Sequence, residues 1–355
     1  MAGYHGGGAP GRILMSRIIL MAGAFGLLAS TAIVALTRNW ARQRRVIDHP
    51  NDRSLHEQPT PRGGGIGIAL PALAVLASAP WSMPDASTPA LWLAVLCLWV
   101  AAVGLVDDIR GLGAAVRLVL QLLAASVFVH FGAGWMTFEL PGVGRVELGV
   151  LAMPATVLFV VWLTNAYNFM DGIDGIAGLQ AVVAGIGWVG AGHYLGDSLL
   201  AGAGAVVAGA SLGFLLFNWS PASIFMGDVG ALFLGFLFAG LTAYASTLSA
   251  AAATAGLLFV WPFLFDSVVT LIRRALRGEN LLRAHRSHLY QRLVLGGASH
   301  RNMSLLYGAL AGIGVAAGWT LMAGPAPAQA MVAPVIGALA VMLYVSVVVR
   351  ERRRR

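Results

Sequence analysis

The chain has 355 residues, 58% hydrophobic and 11% charged, with a net charge of +8. Soluble globular domains carry roughly 25% charged residues, so a single water-soluble body of this length is excluded. The positive charge is all arginine, and it sits in short stretches between apolar runs, which points to membrane orientation and away from nucleic acid.

Eleven apolar runs follow in series. They cover residues 13–36, 66–79, 90–106, 116–131, 151–166, 177–194, 199–217, 229–244, 251–272, 304–322 and 331–349. A span needs about 20 residues to cross roughly 30 Å of hydrocarbon. The shorter runs would draw on loop residues or sit in locally thin bilayer. The first run follows Arg12 without a convincing cleavage site and reads as a retained span, with a signal peptide as the alternative. The single cysteine, Cys97, lies inside an apolar run and excludes an intrachain disulfide.

Twenty arginines fall in one set of loops and in the tail: Arg38 to Arg62, Arg110 and Arg117, Arg273 to Arg301, and Arg350 with Arg352–Arg355. Three, Arg12, Arg17 and Arg145, fall in the other set. The richer set is expected on the cytoplasmic side. The expected fold class is an all-α polytopic membrane protein of about eleven transmembrane helices, N-terminus outside and C-terminus cytoplasmic. No linker or repeat divides it. Residues 1–355 read as one domain, with a membrane core at 13–349 and a basic cytoplasmic tail at 350–355.

The carboxylates cluster on the same face. Asp107 and Asp108 close the third span, Asp171 and Asp174 follow the fifth, and Asp228 begins the eighth. Ionisable groups at the edge of hydrocarbon are costly and mark function more often than chance, although any one Asp there can be a solvated boundary residue. Before them comes a loop, Asp48-His-Pro-Asn51-Asp52-Arg53-Ser-Leu-His56-Glu-Gln-Pro-Thr-Pro-Arg62-Gly63-Gly64-Gly65. Its glycines suggest exposed backbone N–H groups, which with Arg53, His56 and Arg62 would make an anion contact. Asp107-Asp108 at a helix end can both turn to one site, to hold a hard cation or to divide into a base and an orienting group. Asn165, Asn168, Asp171 and Asp174 recur every third residue, with glycines that break the helix and let backbone approach a ligand. Oxygen-only donors of this kind suit Mg²⁺ or Mn²⁺.

In Phe225-Met-Gly227-Asp228-Val-Gly230 the Asp begins a helix. It can act as a cap, or it can join a phosphate site at the helix N-terminus. His285-Arg286-Ser-His288-Leu-Tyr-Gln-Arg292 lacks the Glu of a zinc helix. It reads either as an anion-binding loop or as a basic loop facing headgroups. Asp266 is the exception, placed inside the ninth span.

These five motifs, in this order and on one face, resemble the polyprenyl-phosphate N-acetylhexosamine-1-phosphate transferases of glycosyltransferase family 4. The resemblance covers roughly residues 13–349, and the His285–Arg292 loop looks nearest the branch that starts O-antigen. It implies attack by undecaprenyl phosphate on the β-phosphorus of a UDP-N-acetylsugar, release of UMP, and a Mg²⁺-dependent phosphoglycosyltransferase of the inner membrane with its site facing the cytoplasm. Carried onto this sequence, Asn168 and Asp228 become metal ligands. Asp107 becomes the base for the lipid phosphate, with Asp108 beside it, and Asp171 and Asp174 shape the site. Asn165, Phe225, His285, Arg286, His288, Arg62 and Arg117 become substrate contacts, with Phe225 stacking on uracil. The family usually has a lysine where Arg117 stands. Arginine keeps the charge but not the point-like geometry.

Two rivals remain at this stage. A polytopic transporter would place polar groups near the bilayer midplane, where only Asp266 is a candidate. A CDP-alcohol phosphatidyltransferase shares the start of Asp171-Gly-Ile-Asp174-Gly but not its continuation. The sugar, a homodimer, and direct attack against a covalent Asp intermediate are open on sequence.

Overall fold

The computed structural model describes residues 9–50, 54–83, 86–132, 137–140, 143–281 and 285–352. Asn51, Asp52, Arg53, Arg283 and Arg353–Arg355, named in the sequence analysis, lie outside the described residues.

The fold is a helical bundle built around one helix. In chain order the helices are α1 (Ala9–Arg44), α2 (Ile66–Ala77), α3 (Ala79–Ser82), α4 (Ser87–Arg110), α5 (Ala114–Phe131), α6 (Ala152–Met170) and α7 (Ile176–Leu195). They continue with α8 (Ser198–Asn218), α9 (Asp228–Leu248), α10 (Ala250–Phe259), α11 (Trp261–Leu276), α12 (Leu289–Leu295), α13 (His300–Ala323) and α14 (Ala326–Arg352). Every residue of α9 from Val229 to Ser246 is buried. A helix that is apolar all round belongs in a core, and α4, α6 and α10 pack around it. The paired helices α7 and α8 form the next layer, with α1 and α2 against α8 and α13 against α7 and α10.

All eleven apolar runs are helical, but two differ from a straight span. Among the described residues nine helices are long and apolar enough to cross a membrane, ten if α10 and α11 count as one broken span. The run at 251–272 bends by 72° at Val260. Pro262, in the first turn of α11, lacks an N–H and fits a helix start. Helix α2 has 12 residues, about 18 Å at 1.5 Å per residue, and is the short member of the series. A hairpin between α5 and α6 was not anticipated. Its strands β3 (Thr137–Leu140) and β4 (Gly144–Glu147) are antiparallel. Thr254 of α10 both accepts from the Glu139 N–H at 3.0 Å and donates to the Glu139 carbonyl at 2.7 Å.

Two glycine contacts bring α9 against the elements that carry the polar groups. A Cβ on Gly104 of α4 would lie 2.5 Å from the Asp228 carbonyl oxygen. Gly65, just before α2, meets the Cα of Gly230. Without a strong hydrophobic force between helices in lipid, such small-residue contacts let backbones approach. Gly104→Ala is therefore expected to destabilise the protein by about 1–3 kcal/mol. Gly312→Ala, with no neighbouring atom within 4 Å in mid-α13, should be neutral or stabilising by up to about 1 kcal/mol. Thermal unfolding of the two purified variants in detergent checks the contrast.

Candidate functional site

The stretches singled out in the sequence meet at one end of the bundle. They enclose a cleft of about 360 Å³, whose lining includes Arg62, Asp108, Asn168, Asp171, Asp174, Phe225, Asp228 and His285.

Its floor is the junction of α4 with α9. Asp108, buried at the end of α4, accepts the N–H of Asp228 at 3.0 Å and of Val229 at 3.1 Å. The cap of α9 is therefore supplied by another helix. Gly227, at φ +76°, leaves room for it, since a Cβ there would lie 2.6 Å from an Asp108 oxygen. Asp228 is freed from the capping role that its sequence position allowed, and its carboxylate turns to the cleft. Arg117, in the first turn of α5, bridges two acids. Its Nη1 pairs with Asp107 and lies 2.7 Å from Asp228 Oδ2. Asp107 also accepts the Leu112 N–H. Arg62 donates to the Asp108 carbonyl, with its Nε 3.9 Å from the carboxylate.

One wall is the break after α6. Asn168 lies in the last turn of that helix and Asp171 is its C-cap. Burial, and then the charges of Asp108 and Asp174, push the Asp171 carboxyl up to about 7. Burial also opposes the charge on Asp174, but His300 at 3.5 Å and the Ala222 N–H at 3.2 Å hold its carboxyl below the usual range. Asn218 stitches this loop to the next one. Its Oδ1 accepts the Gly175 N–H at 2.9 Å and its Nδ2 donates to the Ile224 carbonyl at 2.9 Å.

The first loop forms the rim. Strands β1 (Ile47–Asp48) and β2 (Thr60–Pro61) pair, and β2 continues into the segment around Phe225. Phe225 N–H donates to Pro61 at 2.8 Å, Gly64 N–H to Phe225 at 2.9 Å and Gly65 N–H to Met226 at 2.8 Å. The expected use of these glycine N–H groups as anion donors is overturned for Gly64 and Gly65, because both are spent on backbone pairing. The His56 ring meets Phe225 edge-on at 4.8 Å.

The remaining expected residues stand behind the lining. Asn165 donates to Gln121 Oε1 at 2.5 Å and to the Val161 carbonyl at 2.8 Å, between α5 and α6. His288 is buried at the N-cap of α12, its Nδ1 3.1 Å from Asp266. Arg286 is exposed. His285 does line the cleft, and burial, with help from His288 and Arg274, pushes it down to about 4. Asp266, the one carboxylate placed inside a span, accepts from Thr270, His288, the N–H groups of Leu289 and Tyr290, and Tyr307.

Sequence reasoning missed several lining residues. Asn218 and His300 carried no pattern of their own, and Gln291 sat in the quoted His285–Arg292 loop without an assigned role. Asp48 lay in a quoted loop without an assigned place in the site, whereas His56, expected there in an anion contact, does line the cleft.

Among the described residues no three His, Cys, Asp or Glu side chains form a closed metal cage. The cleft instead offers separated oxygen donors, among them Asn168, Asp171 and Asp228. Mg²⁺ keeps several waters and binds through one or two carboxylates plus substrate phosphates, so the donor set fits it.

The sequence model of Glycosyl transferase family 4 matches residues 90–246, which carry α4 to α9. The chain is 33% identical to a protein of Bacillus subtilis (strain 168) described as a probable undecaprenyl-phosphate N-acetylglucosaminyl 1-phosphate transferase, over 83% of this chain and 82% of that one. It is 33% identical to the decaprenyl-phosphate N-acetylglucosaminephosphotransferase of Mycolicibacterium smegmatis (strain ATCC 700084 / mc(2)155), over 79% and 77%. It is 32% identical to the phospho-N-acetylmuramoyl-pentapeptide-transferase of Synechococcus sp. (strain JA-3-3Ab), over 82% and 88%. Likeness of this extent, running through the helices that build the acidic cleft, places the chain in the polyprenyl-phosphate N-acetylhexosamine-1-phosphate transferase family.

Proposed function

We propose that the protein transfers an N-acetylhexosamine-1-phosphate from a UDP-sugar to undecaprenyl phosphate, releasing UMP, to begin a lipid-linked O-antigen or related envelope polysaccharide. The observation that carries this reading is the cleft itself: Asp108, Asn168, Asp171 and Asp228, from the ends of α4, α6 and α9, open on one space with Arg62 beside them. The names of the Bacillus and Mycolicibacterium relatives support N-acetylglucosamine as the sugar. The arginine distribution supports a cytoplasmic cleft in the inner membrane, with the whole chain acting as one domain.

An oxygen of the lipid phosphate attacks the β-phosphorus of the donor and forms a new P–O bond. The bond from that phosphorus to the bridging oxygen breaks, and UMP leaves with the oxygen and its electron pair. Asn168 and Asp228 would hold Mg²⁺; the chemistry it supplies when bound is neutralisation of charge on the pyrophosphate oxygens. Asp107 serves as base for the lipid phosphate once Arg117 turns from it to the incoming anion. Arg62, Arg117 and His285 bind phosphate oxygens, and Phe225 stacks on the base. Asp108 holds the floor rigid, so that the donors are in place before charge develops.

A transporter receives no support from Asp266. Its oxygens are engaged by Thr270, His288, Tyr307 and the N–H groups of Leu289 and Tyr290, which gives the carboxylate a structural role.

Purified protein with undecaprenyl phosphate, Mg²⁺ and UDP-N-acetylglucosamine is expected to release UMP. EDTA should stop the release and excess Mg²⁺ restore it. Absence of release across a panel of UDP-N-acetylsugars would count against the transferase. In the same assay Asp228→Asn is expected to lower kcat by about 100-fold or more, the scale of losing one group that acts on developing charge. Arg117→Lys should stay within about tenfold of the parent, because it keeps a cation between Asp107 and Asp228. Arg117→Ala should fall well below it, and equal activity of the Lys and Ala variants would remove the cation from the proposal.

A further inference from the structure

His300 lies at the start of α13, after the N-cap Ser299, in a stretch with no recognisable motif. Its ring lines the cleft. Nδ1 stands 3.5 Å from Asp174 Oδ2, and the side chain is 17% exposed, so the ring is held but not sealed. Ser304, one turn on and on the same helical face, donates to the Asp174 carbonyl at 2.7 Å. Helix α13 thus grips Asp174 by both its carboxylate and its backbone. Asp174 in turn accepts the Ala222 N–H at 3.2 Å, three residues before Phe225 and within the same loop.

The two ring nitrogens of a histidine point in different directions, and an acceptor on one fixes what the other presents. With Asp174 at Nδ1, Nε2 is the nitrogen left to face the cleft, and it donates there when the ring carries both protons, as an imidazolium held between Asp174 and an anionic ligand. The lining is rich in carboxylates, with Asp48, Asp108, Asp171, Asp174 and Asp228 all on it. An anionic ligand in that setting needs hydrogen-bond donors, and the lining guanidinium and imidazole groups are those of Arg62, His56, His285 and His300. The N-terminus of α13 adds its own positive end behind the ring.

We propose that His300 is a donor-binding residue that touches the nucleoside diphosphate part of the sugar donor through Nε2, with Asp174 as the positioning residue that aims it. The link through Ala222 to the Phe225 loop selects the nucleotide over the lipid phosphate. The floor that meets the lipid phosphate under the proposed reaction is built separately, from α4, α5 and α9. This inference rests on the transferase reading for the identity of the ligand, but binding can be tested without turnover.

The test is calorimetric titration of UDP into the purified full-length protein in nanodiscs with Mg²⁺, for the parent, His300→Ala, His300→Gln and Asp174→Asn. Losing a charged hydrogen bond typically costs at least a factor of ten. His300→Ala is expected to weaken UDP binding by about tenfold, with His300→Gln, which keeps a donor, recovering part of the loss and Asp174→Asn falling between them. In steady-state UMP release, KM for the UDP-sugar should rise by a similar factor while kcat and the KM for undecaprenyl phosphate change by less than about twofold. Unchanged UDP affinity in both His300 variants overturns the proposal, as does a rise confined to the KM for undecaprenyl phosphate. If the parent protein binds UDP through His300 but releases no UMP, the transferase reading fails and this inference stands. Size-exclusion profiles identify any variant that has not folded, and His300→Gln then carries the comparison.

Discussion

The structure turns on the carboxylate of Asp108. Helix α9 is buried from Val229 to Ser246, so the N–H groups at its start are largely shielded from bulk water. In an apolar surround each unsatisfied backbone donor costs several kcal/mol. Asp108 supplies the acceptor from α4, at 3.0 and 3.1 Å. Gly104 and Gly227 supply the closeness that makes the reach possible. The consequence is chemical as well as structural. A helix capped by its own first residue would have used Asp228 for that purpose. Capped from outside, it presents Asp228 to the cleft and to Arg117.

A second constraint follows from gathering so many acids. Five aspartates share one lining, and carboxylates packed together out of water resist ionisation. Burial, and then the charges of Asp108 and Asp174, push Asp171 up to about 7, whereas Asp174 beside His300 stays below the usual range. The cleft is therefore short of positive charge in places. A divalent cation, together with an anionic substrate that brings its own counter-charges, meets that shortage. Under the proposed function a carboxylate-rich cleft and a pyrophosphate substrate are compatible, because the acids would act through a bound cation rather than directly.

The helical architecture was largely legible in the sequence because apolar length obeys the bilayer, which is a simple solvent. All eleven runs proved helical. The acids converged because Asp107-Asp108, Asp171 with Asp174, and Asp228 each end or begin a helix, and helix ends of one bundle face must lie near one another. The division of labour among them was not legible. Asp107 and Asp108 are adjacent, yet one pairs with Arg117 and the other caps α9, a difference set by about 100° of helical rotation and by a partner 120 residues away. Gly63-Gly64-Gly65 resembled an anion nest, but its pairing with Phe225 and Met226 is a tertiary contact that no local pattern records. His300 was invisible for the same reason, since its meaning depends on Asp174.

Asp266 shows how the break in the ninth run serves the site. A straight helix through 251–272 would continue along the axis of α10. The 72° bend at Val260 redirects α11, which carries Asp266 under the loop that bears His285. There its two oxygens take the backbone N–H groups of Leu289 and Tyr290 and the side chains of His288 and Tyr307. Asp266 thus does for α12 what Asp108 does for α9: a carboxylate from a neighbouring helix caps a buried helix start. In both cases the capped helix starts beside the cleft and puts a residue on its lining, Asp228 from α9 and Gln291 from α12. The expected ligand His288 belongs to this support. Its ring lies 5.0 Å from that of His285, close enough to fix the histidine that does face the cleft. A carboxylate inside a predicted span suggested a transport path. Here it seats the loop that carries His285 on a helix whose course is first broken at Val260.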